Sequence, residues 1–181
     1  ETSGTNCVSN AEICYEQGKR RRNENDENKA IEYYQKASNA QSHYEHGLTA
    51  IESGNYTRAI DSITRAIESD VGCPLYYNGL GEVFKAQGDL KKAAACYRKA
   101  VQLKPDFVEA NFNLGSIYHD QLQFKEALYC YAKVINVQPD LAEAHYNMGL
   151  IYRASGQSDA AIAAYDEAIR IKADYPEAYN N

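Results

Sequence analysis

The sequence has no tryptophan, one methionine and only four prolines among its 181 residues. It contains no apolar stretch near the roughly 18 residues that a membrane-spanning helix needs. An excess of positive charge is missing too, because the formal net charge is -6 at pH 7. Proteins that bind a phosphate backbone carry a clustered positive surface. The composition therefore predicts neither a membrane span nor a nucleic-acid partner.

The single basic run, residues 19–22, has acidic neighbours. Glu24, Asp26 and Glu27 follow it at once. Such a run is either a contact for nucleic acid or acidic lipid, or a solvated helix end. The adjacent carboxylates favour the solvated helix end.

Paired cysteine motifs are also missing. The five cysteines are odd in number and form no CxxC pair, and Cys96 and Cys130 recur at the same place 34 residues apart. This recurrence is typical of a small packing residue, so we expect a reduced interior and a cytoplasmic location. The chain begins with Glu1 and shows no signal-peptide pattern, so we expect it to be a processed or excised piece.

A catalytic or metal-binding set is hard to assemble. His43 and His46 are one helical turn apart, but no nearby side chains complete a metal site. His43 and His145 occupy the place that Tyr77 has in its own repeat, so both are expected to pack. His119 and Asp120 are adjacent, and adjacent helical residues do not face each other. We therefore predict no enzyme activity, no cofactor and no metal.

What the sequence does contain is a period of 34 residues. Four columns of residues keep this period, which indicates an array of one short structural unit. The columns are Gly47, Gly81, Gly115 and Gly149; Ala59, Ala93, Ala127 and Ala161; Ile63, Tyr97, Tyr131 and Tyr165; and Ala66, Ala100, Val134 and Ala168.

Residues 74–107 show the unit most clearly. Large residues at helical spacing predict a first helix, Gly88 interrupts it, and Asp89 is suited to cap a second helix. The unit is thus a helical hairpin. Gly81 and Ala93 are expected to remove bulk where the two helices approach most closely. In the next unit, Leu122 replaces the turn glycine.

The period divides the chain as follows. We predict hairpin repeats over residues 40–73, 74–107, 108–141 and 142–175, and a degenerate repeat over residues 11–39 with a polar loop at residues 23–28. Residues 1–10 are expected to be frayed, and residues 176–181 are expected to start a further helix.

These residues resemble the tetratricopeptide repeat (TPR) family, through YNGLGEVF, NFNLGSIY and HYNMGLIY in the first helices. The resemblance implies an all-α, right-handed superhelical solenoid of antiparallel helix pairs, whose concave groove holds a peptide segment of a partner. A further resemblance to the repeats of O-GlcNAc transferases and SPINDLY-like proteins rests on asparagines at Asn113, Asn147 and Asn181.

The resemblance also implies which side chains line the groove. The predicted groove residues are Tyr44, Glu45, Asn78, Glu82, Phe112, Asn113, Ser116, His119, Tyr146, Asn147, Leu150 and Arg153. The asparagines would bind a partner's backbone amide and the aromatic rings its apolar side chains. The alternative is that the rings pack within the array and the asparagines face water.

A family subclass binds the C-terminal carboxylate of heat-shock chaperones through lysines, asparagines and an arginine. Of the five matching places, only Asn113 fits, and Glu82 and Glu143 are acidic. This partner is therefore disfavoured. We predict a non-catalytic protein-interaction scaffold, with two alternatives: a substrate-recruiting arm of a larger enzyme such as a glycosyltransferase, or self-association through an uncapped C-terminal end.

Overall fold

A computed structural model describes residues 24–173, with side chains from residue 31 onward except those of residues 33 and 34. The predictions for residues 1–10, 11–23 and 176–181 lie outside this range. Within it there are eight α-helices and no strand. They are α1 (Glu24–Glu52), α2 (Tyr56–Ser69), α3 (Pro74–Ala86), α4 (Leu90–Leu103), α5 (Val108–Asp120), α6 (Phe124–Val137), α7 (Ala142–Ala154) and α8 (Ser158–Ile171).

The helices form two compact units. The first ends at Leu103 and contains α1–α4, and the second begins at Lys104 and contains α5–α8. In each unit, successive helices pair as α1 with α2, α3 with α4, α5 with α6, and α7 with α8, and α2 also contacts α3 while α6 contacts α7. The predicted all-α solenoid of helical hairpins is confirmed.

The turn inside each hairpin depends on one residue with a left-handed backbone. Gly54, Gly88 and Gly156 have φ of 72°, 79° and 73°, which glycine adopts without a steric penalty. The fourth turn has Leu122 at φ 59°. After Gly88, Asp89 caps α4 by accepting a hydrogen bond from the Lys92 amide at 3.1 Å, as the sequence predicts.

The conserved spacing of the helix glycines makes room for an aromatic ring. A Cβ atom added at Gly81 would lie 2.5 Å from Cε1 of Tyr97, and one at Gly115 would lie 3.1 Å from Cε1 of Tyr131. The expected pairing of Gly81 with Ala93 is therefore corrected: the first helix is notched for the tyrosine of the second helix. Tyr97 and Tyr131 are fully buried as a result.

The polar loop predicted at residues 23–28 is wrong. From Glu24 onward this tract is helical, and α1 continues without a break through residues 37–40 to Glu52. The physical reason is that no proline or glycine occurs between Glu24 and Gly47, so nothing in the chain ends the helix. Burial begins only at Ala40, which is fully buried.

The cysteines do not behave alike. Cys96 and Cys130 are free, and burial raises the pKa of each thiol to about 11. Cys73, however, is disulfide-bonded, so the expectation of an entirely reduced interior is wrong at this position. No helix between residues 24 and 173 is long and apolar enough to cross a membrane.

Candidate partner-binding groove

In the second unit, the predicted groove residues lie on two helices that touch. α5 and α7 are in contact, and each carries four of the predicted side chains. Those on α5 are Phe112, Asn113, Ser116 and His119, and those on α7 are Tyr146, Asn147, Leu150 and Arg153. Arg153 is exposed and the other seven are half-buried. They offer a partly accessible surface of mixed aromatic, amide and charged groups.

The two aromatic rings of this surface are supported from below. Phe112 meets the ring of Tyr131 edge-on, with centroids 5.6 Å apart, and Tyr146 lies 5.8 Å from Tyr165. Each ring thus packs on the tyrosine of its own hairpin and is still half-buried rather than enclosed. Both interpretations of the rings made from the sequence hold in part, because the same side chain packs on one side and faces outward on the other.

The hydroxyl of Tyr131 lies among these groove residues. Burial raises the pKa of Tyr131, Asp120 adds to this effect, and the side chains of Asn147 and Ser116 oppose it. Their influence means that both polar side chains lie near Oη. Neither reaches hydrogen-bonding geometry, since Oη has no partner among the described residues.

His119 and His145 have different surroundings. The ring of His119 lies 6.2 Å from that of Phe124 at the end of α5. His145 shares a hydrogen bond of 2.9 Å between Nε2 and the carbonyl oxygen of Pro139. The prediction that His145 only packs is corrected, because its ring holds the chain at the end of the preceding helix.

The place that His145 occupies in its repeat is taken by Asn111 in the repeat before it. Nδ2 of Asn111 donates to the carbonyl oxygens of Pro105 at 3.1 Å and Phe107 at 2.8 Å. Asn111 is 1% exposed, so these bonds are sheltered from water. Sequence reasoning missed this role. The signal was a polar residue six places after each of the two prolines, at a position that Tyr77 occupies one repeat earlier.

In the first unit, two predicted groove residues are buried. Tyr44 is 6% exposed, its ring centroid lies 5.0 Å from that of Tyr76, and a Cβ atom added at Gly79 would lie 2.7 Å from its Cε2. Asn78 is 4% exposed and donates from Nδ2 to Glu82 Oε1 at 3.0 Å. The prediction that these two residues contact a ligand is corrected: they pack inside the unit, because the missing side chain at Gly79 lets Tyr44 close over α3.

The remaining predicted residues of the first unit are acidic and exposed. Glu45 accepts a hydrogen bond from Nε2 of Gln41 at 3.1 Å. Together with Asp70, and after the larger effect of burial, Glu45 raises the pKa of Tyr76 to about 12. The Glu82 carboxylate, again after burial, raises the pKa of Tyr44. The two units therefore present different chemistry, acidic in the first and rich in amides and aromatic rings in the second.

Between residues 24 and 173, no group of three or more His, Cys, Asp or Glu side chains is placed to hold a metal ion. The glycines that recur along the chain lie in helices or in single-residue turns. The sites that these residues form are surfaces for contact.

Comparison with known families agrees with this architecture. The model described as TPR repeat matches residues 81–121, 115–156 and 149–181, and the one described as tetratricopeptide repeat matches residues 40–70. These segments cover more than half of the chain, and the first three begin 34 residues apart. The chain belongs to the tetratricopeptide repeat family.

Similar individual proteins are also TPR proteins or assembly factors. Over 89 residues the chain is 36% identical to the photosystem I assembly protein Ycf3 of Acaryochloris marina (strain MBIC 11017), covering 47% of this chain. The chain spans about half the length of that relative, 53%. A crystal structure of MamA has a TM-score of 0.70 at 24% identity, covering 87% of this chain and 97% of MamA.

A second solved structure carries functional information in its description. YrrB, described as a TPR protein with an unusual peptide-binding site, has a TM-score of 0.69 at 25% identity, covering 98% of this chain and 91% of YrrB. The TPR class consists of scaffolds for protein–protein interaction that are typically non-catalytic and bind proteins or peptides. The resemblance to O-GlcNAc transferases is not shown by these matches and stays a prediction.

Proposed function

We propose that this chain is a non-catalytic scaffold that binds an extended peptide segment of a protein partner across α5 and α7. The observation that carries the proposal is the surface of half-buried aromatic and amide side chains on these two touching helices. The printed description of YrrB as a peptide-binding TPR protein supports it.

The amides suit a peptide backbone. An asparagine side chain offers donors and an acceptor together, which matches the acceptor and donor of a peptide group. Asn113 on α5 and Asn147 on α7 are both half-buried. Their place beside the ring surfaces lets one segment use both kinds of contact, with backbone groups on the amides and side chains on the rings.

The aromatic residues suit apolar side chains of the partner. Phe112 and Tyr146 are each held by a buried tyrosine beneath them. Because their positions are already set, binding costs them little additional rotamer entropy. This arrangement favours affinity without a large apolar patch.

The first unit contributes differently to this proposal. Its exposed carboxylates at Glu45 and Glu82 would add contacts to basic groups of the partner, whereas Tyr44 and Asn78 act through packing. The cytoplasmic location, the exclusion of heat-shock carboxylates, the enzyme-arm alternative and the self-association alternative stay predictions.

The test replaces the amides and leaves the helices intact. A peptide selected on the full chain from a random phage-displayed library serves as the probe. The double substitution Asn113→Ala and Asn147→Ala should weaken its binding at least about 10-fold, because hydrogen bonds of this kind contribute about 0.5–1.5 kcal/mol each. Asn136→Ala, at an exposed asparagine on α6, is the matched control and should leave the affinity unchanged.

Helix content is followed by far-ultraviolet circular dichroism. If no selected peptide is sensitive to the asparagine pair, or if Asn136→Ala has the same effect as the pair, the groove proposal is refuted.

A further inference from the structure

The hydroxyl group of Tyr131 is a buried polar atom that packing alone does not explain. Tyr131 is fully buried on α6, and its Oη has no hydrogen-bond partner within the part of the chain that is described. Phenylalanine would fill the same space without burying a polar group, and buried polar groups in native proteins nearly always have a partner. The unused hydroxyl needs a reason.

The ring is held so that the hydroxyl points toward the surface of α5 and α7. The Cζ end of the ring lies over Gly115, where an added Cβ atom would be 3.2 Å from Cζ. Phe112 meets the ring edge-on at 5.6 Å. Both contacts come from α5, and they leave the hydroxyl between that helix and α7, beside Ser116 and Asn147.

The groups around the hydroxyl select the kind of ligand atom it can meet. Asp120 acts on Tyr131 in the direction that opposes a negative charge there, and burial acts in the same direction, so the phenol keeps its proton. A protonated phenol beside a carboxylate is a hydrogen-bond donor to a neutral acceptor. A second anion would be repelled by Asp120.

We propose that the Tyr131 hydroxyl donates a hydrogen bond to a backbone carbonyl oxygen of the bound segment. The partner contact then includes α6, the second helix of the hairpin, in addition to α5 and α7. This inference rests on the proposed function. Asn147 is short and half-buried, and a change in its rotamer on binding uncovers the hydroxyl while its own amide meets the same segment.

The test is Tyr131→Phe, which removes only the oxygen. The probe is the selected peptide whose binding Asn147→Ala weakens. We expect Tyr131→Phe to weaken that peptide about 2- to 10-fold, the range for one net hydrogen bond. We also expect the variant to unfold at the same or a higher temperature, because a buried hydroxyl without a partner has been removed.

The matched control is Tyr97→Phe. Tyr97 occupies the same column in the first unit, is also fully buried and also has a hydroxyl without a partner among the described residues. It lies outside α5–α8, so its substitution should leave the affinity unchanged.

A second measurement identifies the acceptor. Peptides are made in which one backbone amide at a time is replaced by an ester, whose carbonyl oxygen is a weaker acceptor. At one position the ester should weaken binding to the parent protein but not to Tyr131→Phe.

Three outcomes would overturn the inference. The first is an unchanged affinity in Tyr131→Phe while Asn147→Ala still weakens binding, which leaves the proposed function standing. The second is an equal loss in Tyr97→Phe. The third is a set of ester effects that are the same in the parent and in Tyr131→Phe. If no peptide is sensitive to Asn147→Ala, both the proposed function and this inference fail.

Discussion

Leu122 has the backbone conformation of a glycine, and its replacement by glycine should stabilise the protein. Its φ is 59°, while the turns at Gly54, Gly88 and Gly156 have similar angles and no side chain. A left-handed backbone brings the Cβ atom of an L-residue too close to the following carbonyl oxygen. The Leu122 side chain is 74% exposed, so removing it uncovers little of the core.

The size of the effect follows from two opposing contributions. Relief of the left-handed strain stabilises the folded state by about 1–2 kcal/mol. The greater freedom of glycine in the unfolded chain costs roughly 0.5–1 kcal/mol. The net gain is about 0.5–1 kcal/mol, which corresponds to a rise of about 1–4 °C in the midpoint of thermal unfolding for a chain of this size.

The assay is thermal unfolding followed by far-ultraviolet circular dichroism, with the free energy of unfolding from urea titration as a check. Leu122→Ala is the control for lost side-chain contacts, because it keeps a Cβ atom and hence the strain. Gly88→Ala is the reverse test. Nothing lies within 4 Å of a Cβ atom added at Gly88, so any destabilisation there reports the φ of 79° alone.

The reasoning is refuted if Leu122→Gly is less stable than the parent protein, or if Leu122→Ala gains as much as Leu122→Gly. A Gly88→Ala variant as stable as the parent would equally show that the left-handed turn carries no penalty.

Two further predictions concern the buried tyrosines. Gly81→Ala should lower the free energy of unfolding by about 1–3 kcal/mol, since its Cβ atom would lie 2.5 Å from Tyr97 Cε1, and Gly115→Ala should lose less because the distance to Tyr131 Cε1 is 3.1 Å; urea titration compares them, and equal losses would contradict the notch. Stability should also fall with rising pH between about 10 and 12, because burial raises the pKa of Tyr76 to about 12 while the unfolded chain releases this proton near pH 10. The folded state then binds more protons than the unfolded state in that window, so its advantage is complete below the unfolded pKa and is lost above it. Tyr76→Phe should flatten the pH dependence in urea titrations, and an unchanged slope would contradict the assignment.

Most of the fold could be predicted because its signals are local. The turn glycines, the cap at Asp89 and the 34-residue columns each act within one hairpin, and the helices begin and end where those signals indicate. The failure was at α1, where a run of polar residues was interpreted as a loop. A polar run ends a helix only if it also brings a proline, a glycine or a competing cap, and residues 24–46 contain neither proline nor glycine.

The candidate groove could be predicted only in part. The repeat columns placed Asn113 and Asn147 correctly on the first helices of their hairpins. They also placed Tyr44 with Phe112 and Tyr146, although Tyr44 is buried and the other two are half-exposed. The difference comes from Gly79, which stands where Asn113 and Asn147 stand in later repeats and lets the Tyr44 ring close over α3.

The sequence by itself determined that this protein is an array of helical hairpins, since the spacing of small, large and turn residues expresses contacts within about one repeat. Only the tertiary structure decided which polar groups are used up by packing. It buried Tyr44 and Asn78, bound Asn111 and His145 to the carbonyls of two prolines, and left the Tyr131 hydroxyl between two helices without a partner among the described residues. The reason is that burial of a side chain depends on what the neighbouring helix places over it, and that neighbour lies many residues away along the chain.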